Sequence, residues 1–102
     1  MNEIPTIEFL KKISDEGFED YKKDVLNGPL FRKIMIQIED AALAGYTGRK
    51  NKLDHRTDDF RALKVIQKEL QAKGFYCEFE TVEKKGLIVP YKEQYFHVKW
   101  GE

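Results

Sequence analysis

The chain has 102 residues, of which 41% are hydrophobic, 13% aromatic and 35% charged, a composition typical of one folded domain over residues 1–102. Its 18 basic and 18 acidic residues give a formal net charge of zero, so long nucleic acid is not an expected partner. The single cysteine excludes an intramolecular disulfide. Because we find neither a signal peptide nor a long apolar run, we expect a cytoplasmic protein with no membrane partner.

Residues 1–28 predict N-terminal helical structure. Pro5 and Thr6 are suitable helix-starting residues, and apolar side chains then recur at helical spacing. Gly17 is a candidate end for a first helix, after which the periodicity continues to Asn27. The pattern therefore allows either two short helices or one bent helix.

Residues 29–74 predict two main helices with a connecting loop. Asn27-Gly28-Pro29 predicts a helix stop with a left-handed glycine, followed by a restart at proline. The segment "PLFRKIMIQIEDAALAG" then predicts a helix ending at Gly45, although "IMIQI" alone also fits a strand. Residues 45–57 are predicted as a polar loop, and Thr57 as the cap of the next helix.

The stretch "KGFYCEF" predicts the end of that helix and the start of a strand. With Gly74 in a left-handed conformation, Leu70 and Phe75 are placed to make the apolar contact of a Schellman motif. Alternation then predicts a strand through Phe79 and another in "QYFHVKW", forming a β-hairpin over residues 75–100. The segment "LIV", residues 87–89, is a candidate third strand.

The predicted fold class is α+β. Two to three N-terminal helices and one further helix pack on a small antiparallel sheet of two or three strands. The sheet face that packs on the helices is expected to carry these residues: Phe75, Cys77, Phe79, Phe96, Val98 and Trp100.

Three short motifs occur in a fixed order between residues 31 and 100. They are an alanine-rich helix end ("EDAALAG"), a helix closing into a strand ("L..KGF") and a last strand ending in tryptophan ("FHVKW"). This layout resembles that of small accessory proteins of tailed bacteriophages. The resemblance implies a phage setting and the host cytoplasm as location, and residues 1–28 lie outside it.

The predicted loop carries the main candidate ligand site. Its glycines let backbone amides turn toward a ligand, its cations suit a phosphate group, and Tyr46 is placed to stack on a base. The residues of this candidate site are Tyr46, Arg49, Lys50, Lys52, His55 and Arg56. Together with the phage-like layout, they favour a counter-defence protein that sequesters a phosphate-bearing ligand such as a nucleotide signal. The alternative interpretation is a solvated connection.

The outward face of the hairpin is the second candidate surface. Aromatic residues among mixed charges are typical of protein interfaces, and the residues here are Tyr76, Glu78, Tyr95, His97 and Lys99. This face and the acidic N-terminal helices favour the alternative function, an inhibitor that binds a host protein. An edge strand here can also pair with a second copy, giving a homo-oligomer.

The residue inventory does not favour an enzyme. Cys77 alternates with Phe75 and Phe79 and is therefore expected in the core, facing away from His97. One cysteine and two histidines in different elements do not make a zinc site, and Asp54, His55, Asp58 and Asp59 suit a solvated helix start. We expect neither catalytic residues nor a metal nor a cofactor.

Overall fold

The computed structural model describes residues 4–101, which form three helices and one antiparallel sheet. The helices are α1 (Ile7–Leu26), α2 (Pro29–Leu43) and α3 (Phe60–Ala72), and the strands are β1 (Gly48–Leu53), β2 (Tyr76–Lys84) and β3 (Tyr91–Lys99). The strand order is β1-β3-β2. The α+β prediction is therefore confirmed, with two N-terminal helices, one further helix and three strands.

Of the two N-terminal alternatives, two short helices or one bent helix, the structure shows a single helix, α1. Thr6 begins α1 by accepting a hydrogen bond from the Phe9 amide at 3.1 Å, as expected of an N-cap. Gly17 does not end the helix, because α1, which is 20 residues long, continues past it to Leu26. One interior glycine costs a helix about 1 kcal/mol, which does not interrupt α1.

The restart at residues 27–29 is confirmed, but its glycine acts differently from the prediction. Gly28 has a φ of −92° and is the N-cap of α2, with Pro29 at the first helical position. A Cβ at residue 28 would lie 3.0 Å from the Asp24 carbonyl oxygen. Close approach of α1 and α2, and not a left-handed conformation, therefore favours glycine here.

Left-handed glycines end both α2 and α3, as predicted. Gly74 has a φ of 93°, and the Phe75 amide donates to the Leu70 carbonyl at 3.0 Å. Gly45 has a φ of 90°, and the Tyr46 amide after it donates to the Ala41 carbonyl at 3.0 Å in the corresponding way. Both ends are Schellman motifs, and the one at the end of α3 places Phe75 against the core beside buried Leu70.

Three predictions about the connections are wrong. The predicted loop at residues 45–57 contains β1, which pairs with β3 from Gly48 opposite Lys99 to Leu53 opposite Gln94. Residues 87–89 form no strand and lie in the connection between β2 and β3. The cap of α3 is Asp59, whose carboxylate accepts from the Ala62 amide at 3.1 Å, and not Thr57.

The core lies between the sheet and the helices. Its buried members are Ile34, Leu53, Leu63, Ile66, Leu70, Cys77, Phe96 and Val98. Phe75, Phe79 and Trp100 are partly buried against this cluster, so the predicted packing face of the hairpin is confirmed. The opposite surface of the sheet, called the outer face below, carries Gly48, Lys50, Lys52, Tyr76, Glu78, Glu80, Val82, Lys84, Tyr91, Glu93, Tyr95, His97 and Lys99.

Candidate functional site: the outer face of the sheet

Glu80 is the centre of a polar network on the outer face. Its carboxylate lies 3.3 Å from the Lys50 Nζ and 2.6 Å from the His97 Nδ1, and it accepts a hydrogen bond from the Tyr76 hydroxyl at 3.1 Å. Three strands thus contribute one partner each to a single carboxylate. The His97 hydrogen bond above all lowers the pKa of Glu80, and the Tyr76 and Lys50 contacts lower it further.

Glu93 forms a second, smaller network toward the other end of the strands. Its carboxylate lies 3.2 Å from the Lys52 Nζ and accepts a hydrogen bond from the Tyr95 hydroxyl. These contacts lower the pKa of Glu93, and the hydrogen bond to the carboxylate raises the pKa of Tyr95. The two networks connect Lys50, Tyr76 and His97 to Glu80, and Lys52 and Tyr95 to Glu93.

Aromatic contacts complete the ordered part of this face. The Tyr76 and His97 rings meet edge to face with centroids 5.4 Å apart. The Lys99 Nζ lies 4.7 Å from the Tyr76 ring centroid, within the range of a cation–π contact. The structure therefore places all five predicted interface residues on the outer face, and four of them, Tyr76, Tyr95, His97 and Lys99, take part in these contacts.

Glu78, the fifth predicted interface residue, has its partners on α3. Gln67 and Gln71 donate to its carboxylate at 3.3 and 3.2 Å, and both also donate to the Cys77 carbonyl. These amides satisfy an edge carbonyl of β2 that a further strand would otherwise use. This part of the β2 edge is consequently protected against pairing with another chain.

The six predicted ligand residues do not lie on one surface. Alternation along β1 places Lys50 and Lys52 on the outer face and Arg49 on the helix side. There the Arg49 Nε donates to the Asn51 side chain at 2.8 Å, and Asn51 donates to Gln37 of α2 at 3.0 Å.

The other three predicted ligand residues flank β1. Tyr46 is exposed in the turn before the strand. Beyond the strand, the His55 ring stacks on Phe60 with centroids 5.2 Å apart, and the Arg56 amide donates to the Asp54 carboxylate at 2.8 Å. The six predicted ligand residues are therefore distributed over two sheet faces and two turns.

The structure also assigns contacts that the sequence reasoning missed. Neither Glu80 nor Glu93 is a predicted site residue, although both organise the outer face. A signal for them exists, because each lies two residues from a predicted outward position on an alternating strand. Their lysine partners have no such signal, because nothing in the sequence marks β1 as a strand.

The connection between β2 and β3, residues 85–90, forms an exposed apolar tip, called the hairpin tip below. Leu87 and Ile88 are 106% and 94% exposed, and Val89 is also exposed. A Cβ at Gly86 would lie 2.2 Å from the Val89 carbonyl oxygen, so the tight turn requires glycine. Tyr91, half exposed, joins the hairpin tip to the outer face.

Cys77 and His97 lie on opposite faces, as predicted. Cys77 is 1% exposed in the core, and burial raises the pKa of its thiol to about 12. The thiol is consequently protonated at neutral pH and poorly nucleophilic. His97 belongs to the Glu80 network on the other side of the sheet.

We expect Glu80→Gln to make the free energy of unfolding less dependent on pH in the acidic range. Because the folded pKa of Glu80 is lowered, its contribution is present above its unfolded pKa of about 4.3 and is lost as pH falls through the folded pKa. Denaturant unfolding measured in steps from about pH 7 to about pH 3 should show the largest difference from wild type at neutral pH. The control is Glu83→Gln, the same change at an exposed glutamate of β2. Equal curves for wild type and Glu80→Gln would contradict the network.

Within residues 4–101, no group of three or more His, Cys, Asp or Glu side chains is arranged to hold a metal ion. The same residues contain no helix of the length and apolar character needed to cross a membrane. Comparison with protein-family models, curated proteins and solved structures finds no match to this chain.

Proposed function

We propose that this chain is a non-enzymatic binding protein that engages another protein through the outer face and the hairpin tip. The observation that carries the proposal is the exposure of Leu87, Ile88 and Val89 on a turn continuous with an ordered aromatic and charged face. Exposed apolar patches with a polar surround are typical of protein interaction sites. The resemblance to phage accessory proteins supports an inhibitor of a host protein as the biological role.

The charges around the hairpin tip favour a partner with an acidic rim. Lys84, Lys85 and Lys92 lie at the tip end of the hairpin, where Glu83 of β2 is the register partner of Lys92. An apolar pocket with carboxylates at its edge would match both the leucine–isoleucine–valine turn and these lysines. Charge complementarity of this kind raises the association rate and restricts the choice of partner.

The outer face is less suited to a phosphate-bearing ligand than the sequence suggested. Lys50 and Lys52 each have a carboxylate partner, which a phosphate would have to displace. The predicted ligand residues on β1 are also divided between opposite faces of the strand. Sequestration of a nucleotide signal therefore stays a prediction, which the outcomes below also test.

The proposal is tested with a matched pair of leucine substitutions. Leu87→Asp changes the hairpin tip, and Leu43→Asp makes the same change at an 87% exposed position at the end of α2. Wild type and both variants are used as bait in a bacterial lysate, and the affinity for the recovered protein is then measured. Burying a leucine contributes about 1.5–3 kcal/mol, so Leu87→Asp should weaken binding about tenfold or more. Leu43→Asp should bind as wild type does.

Two outcomes would reject this proposal. Equal binding by Leu87→Asp and wild type would place the interface elsewhere on the chain. A rise in melting temperature with a mono-, di- or cyclic nucleotide, removed by Arg49→Ala or Arg56→Ala, would support the phosphate-ligand function instead.

A further inference from the structure

The backbone of β1, an edge strand of the sheet, has hydrogen-bonding groups that face away from the other strands. The Trp100 amide donates to the Thr47 carbonyl at 2.9 Å, and these two residues continue the β1–β3 register. In an antiparallel ladder, hydrogen-bonded pairs alternate with pairs that are not hydrogen-bonded. The odd-numbered residues of β1 therefore bond to β3, whereas the amides and carbonyls of Lys50 and Lys52 point away from the sheet.

These outward groups are open. Among residues 4–101, no hydrogen bond outside the strand ladder involves the backbone of Lys50 or Lys52. The β2 edge differs, because Gln67 and Gln71 donate to the Cys77 carbonyl there. Open edge groups of a sheet match an extended chain, which presents its own amides and carbonyls at the same spacing. The backbone of β1 thus selects an occupant in the extended conformation.

A cavity of about 270 Å³ adjoins this edge and lies between β1 and α2. Lys50 and Lys52 line it, although their Nζ atoms lie beside Glu80 and Glu93 on the outer face. Its apolar wall consists of residues that are at most 8% exposed: Ile34, Leu53, Leu63 and Phe96. The space beside the open backbone is therefore suited to one large apolar side chain.

The charge at the rim of this cavity favours an acidic occupant. Lys33 of α2 lines the cavity, is exposed and has no ion-pair partner among the described residues. Asn51 donates to Gln37 at 3.0 Å, so Lys33, one helical turn earlier, lies on the helix side of the sheet. Asp58 also lines the cavity, but its carboxylate already accepts a hydrogen bond from the Asp54 amide at 2.6 Å.

We propose that β1 binds an extended acidic segment of a partner protein, which adds to the sheet as a further antiparallel strand. The backbone of the segment bonds to Lys50 and Lys52. Alternation places every second side chain of the segment on the helix side. One apolar side chain there enters the cavity, and an acidic side chain two residues away meets Lys33. This site is separate from the outer face and the hairpin tip.

The proposal is tested with a capped five-residue peptide, serine–glutamate–serine–leucine–serine, in which glutamate and leucine share one face. The peptide is titrated into ¹⁵N-labelled protein and followed by NMR. We expect the largest shifts at the amides of Lys50 and Lys52 and at the residues that line the cavity. Serine in place of leucine should weaken binding about tenfold or more, because the cavity then stays unfilled.

N-methylation of the peptide tests the added strand. In the antiparallel pairing, the two serines that flank leucine donate their amides to Lys50 and Lys52, whereas the leucine amide points away. N-methylation of these serines should weaken binding about tenfold or more, because it removes both hydrogen bonds and blocks close approach. N-methylation of leucine should leave the affinity unchanged. Equal losses for the two methylated peptides would reject strand addition.

A charge exchange tests the acidic specificity. Lys33→Glu should weaken binding of the peptide about three- to tenfold, because it replaces attraction of the glutamate by repulsion. A peptide with lysine in place of glutamate should show the reverse preference and bind Lys33→Glu more tightly than wild type. Lys68→Glu is the control, because it makes the same change at an exposed lysine of α3 and should bind as wild type does. Absence of this exchange of preference would reject the role of Lys33.

Three further outcomes would overturn the proposal. Shifts confined to the outer face or the hairpin tip would place the peptide elsewhere. Shifts of the Lys50 and Lys52 amides on raising the protein concentration without peptide would assign the edge to a second copy. Weaker peptide binding by Leu87→Asp would merge this site with that of the proposed function. We expect Leu87→Asp to bind the peptide as wild type does, so the two proposals fail separately.

Discussion

Phe96→Ala is expected to lower the free energy of unfolding by about 3–5 kcal/mol, because it removes a large side chain from the centre of the core. Phe96 is 1% exposed on β3, the central strand, and meets the Phe79 ring edge to face at 5.3 Å. Its removal leaves a cavity between β3 and the helices, which the paired strands on both sides prevent from collapsing. Urea unfolding monitored by fluorescence of Trp100 measures the difference.

Tyr46→Ala is the control for this substitution. It also replaces an aromatic side chain by a methyl group, but Tyr46 is 67% exposed in the turn before β1. Its unfolding midpoint should stay close to that of wild type. If Phe96→Ala unfolded at the same denaturant concentration as Tyr46→Ala, the core would not lie on this face of the sheet.

Leu70→Ala should lower the free energy of unfolding by about 2–5 kcal/mol. Leu70 is 3% exposed and fills the core where α3 ends, and its carbonyl accepts the Phe75 amide hydrogen bond that closes the Schellman motif. The substitution therefore removes both core volume and the apolar contact that directs the chain from α3 into β2. Thermal and urea unfolding provide two independent measurements.

Leu43→Ala is the matched control for Leu70. Leu43 is also near the end of a helix closed by a left-handed glycine, but its side chain is 87% exposed. We expect a change of about 0.5 kcal/mol or less, as for most surface substitutions. Similar losses in the two variants would show that helix propensity, and not burial of Leu70, determines the effect.

Local sequence signals were sufficient for the C-terminal ends of α2 and α3 and for the packing face of the hairpin. Gly45 and Gly74 end helices because a left-handed residue after a helix is most easily formed by glycine. Phe96 and Val98 alternate with polar residues, and that period of two identifies the buried face without knowledge of the partner. The fold class followed from these local signals.

The sequence did not reveal β1, for a physical reason. Its six residues, "GRKNKL", contain one apolar side chain, Leu53, so neither alternation of hydrophobicity nor β propensity marks a strand. The segment is a strand because β3 supplies its hydrogen-bonding partners and because Asn51 bonds to Gln37 of α2. Both contacts join residues far apart in the chain.

The same reason explains the outcome for the candidate site. The sequence by itself determined that Tyr76, Tyr95, His97 and Lys99 share a face, since alternation along a strand requires it. Only the tertiary structure decided that Lys50 and Lys52 join them beside Glu80 and Glu93 while Arg49 faces the helices. Pairing with β3 places each residue of β1 on one of the two faces of the sheet. A segment interpreted as a loop has no such faces, so the sequence pattern could not assign its residues to one.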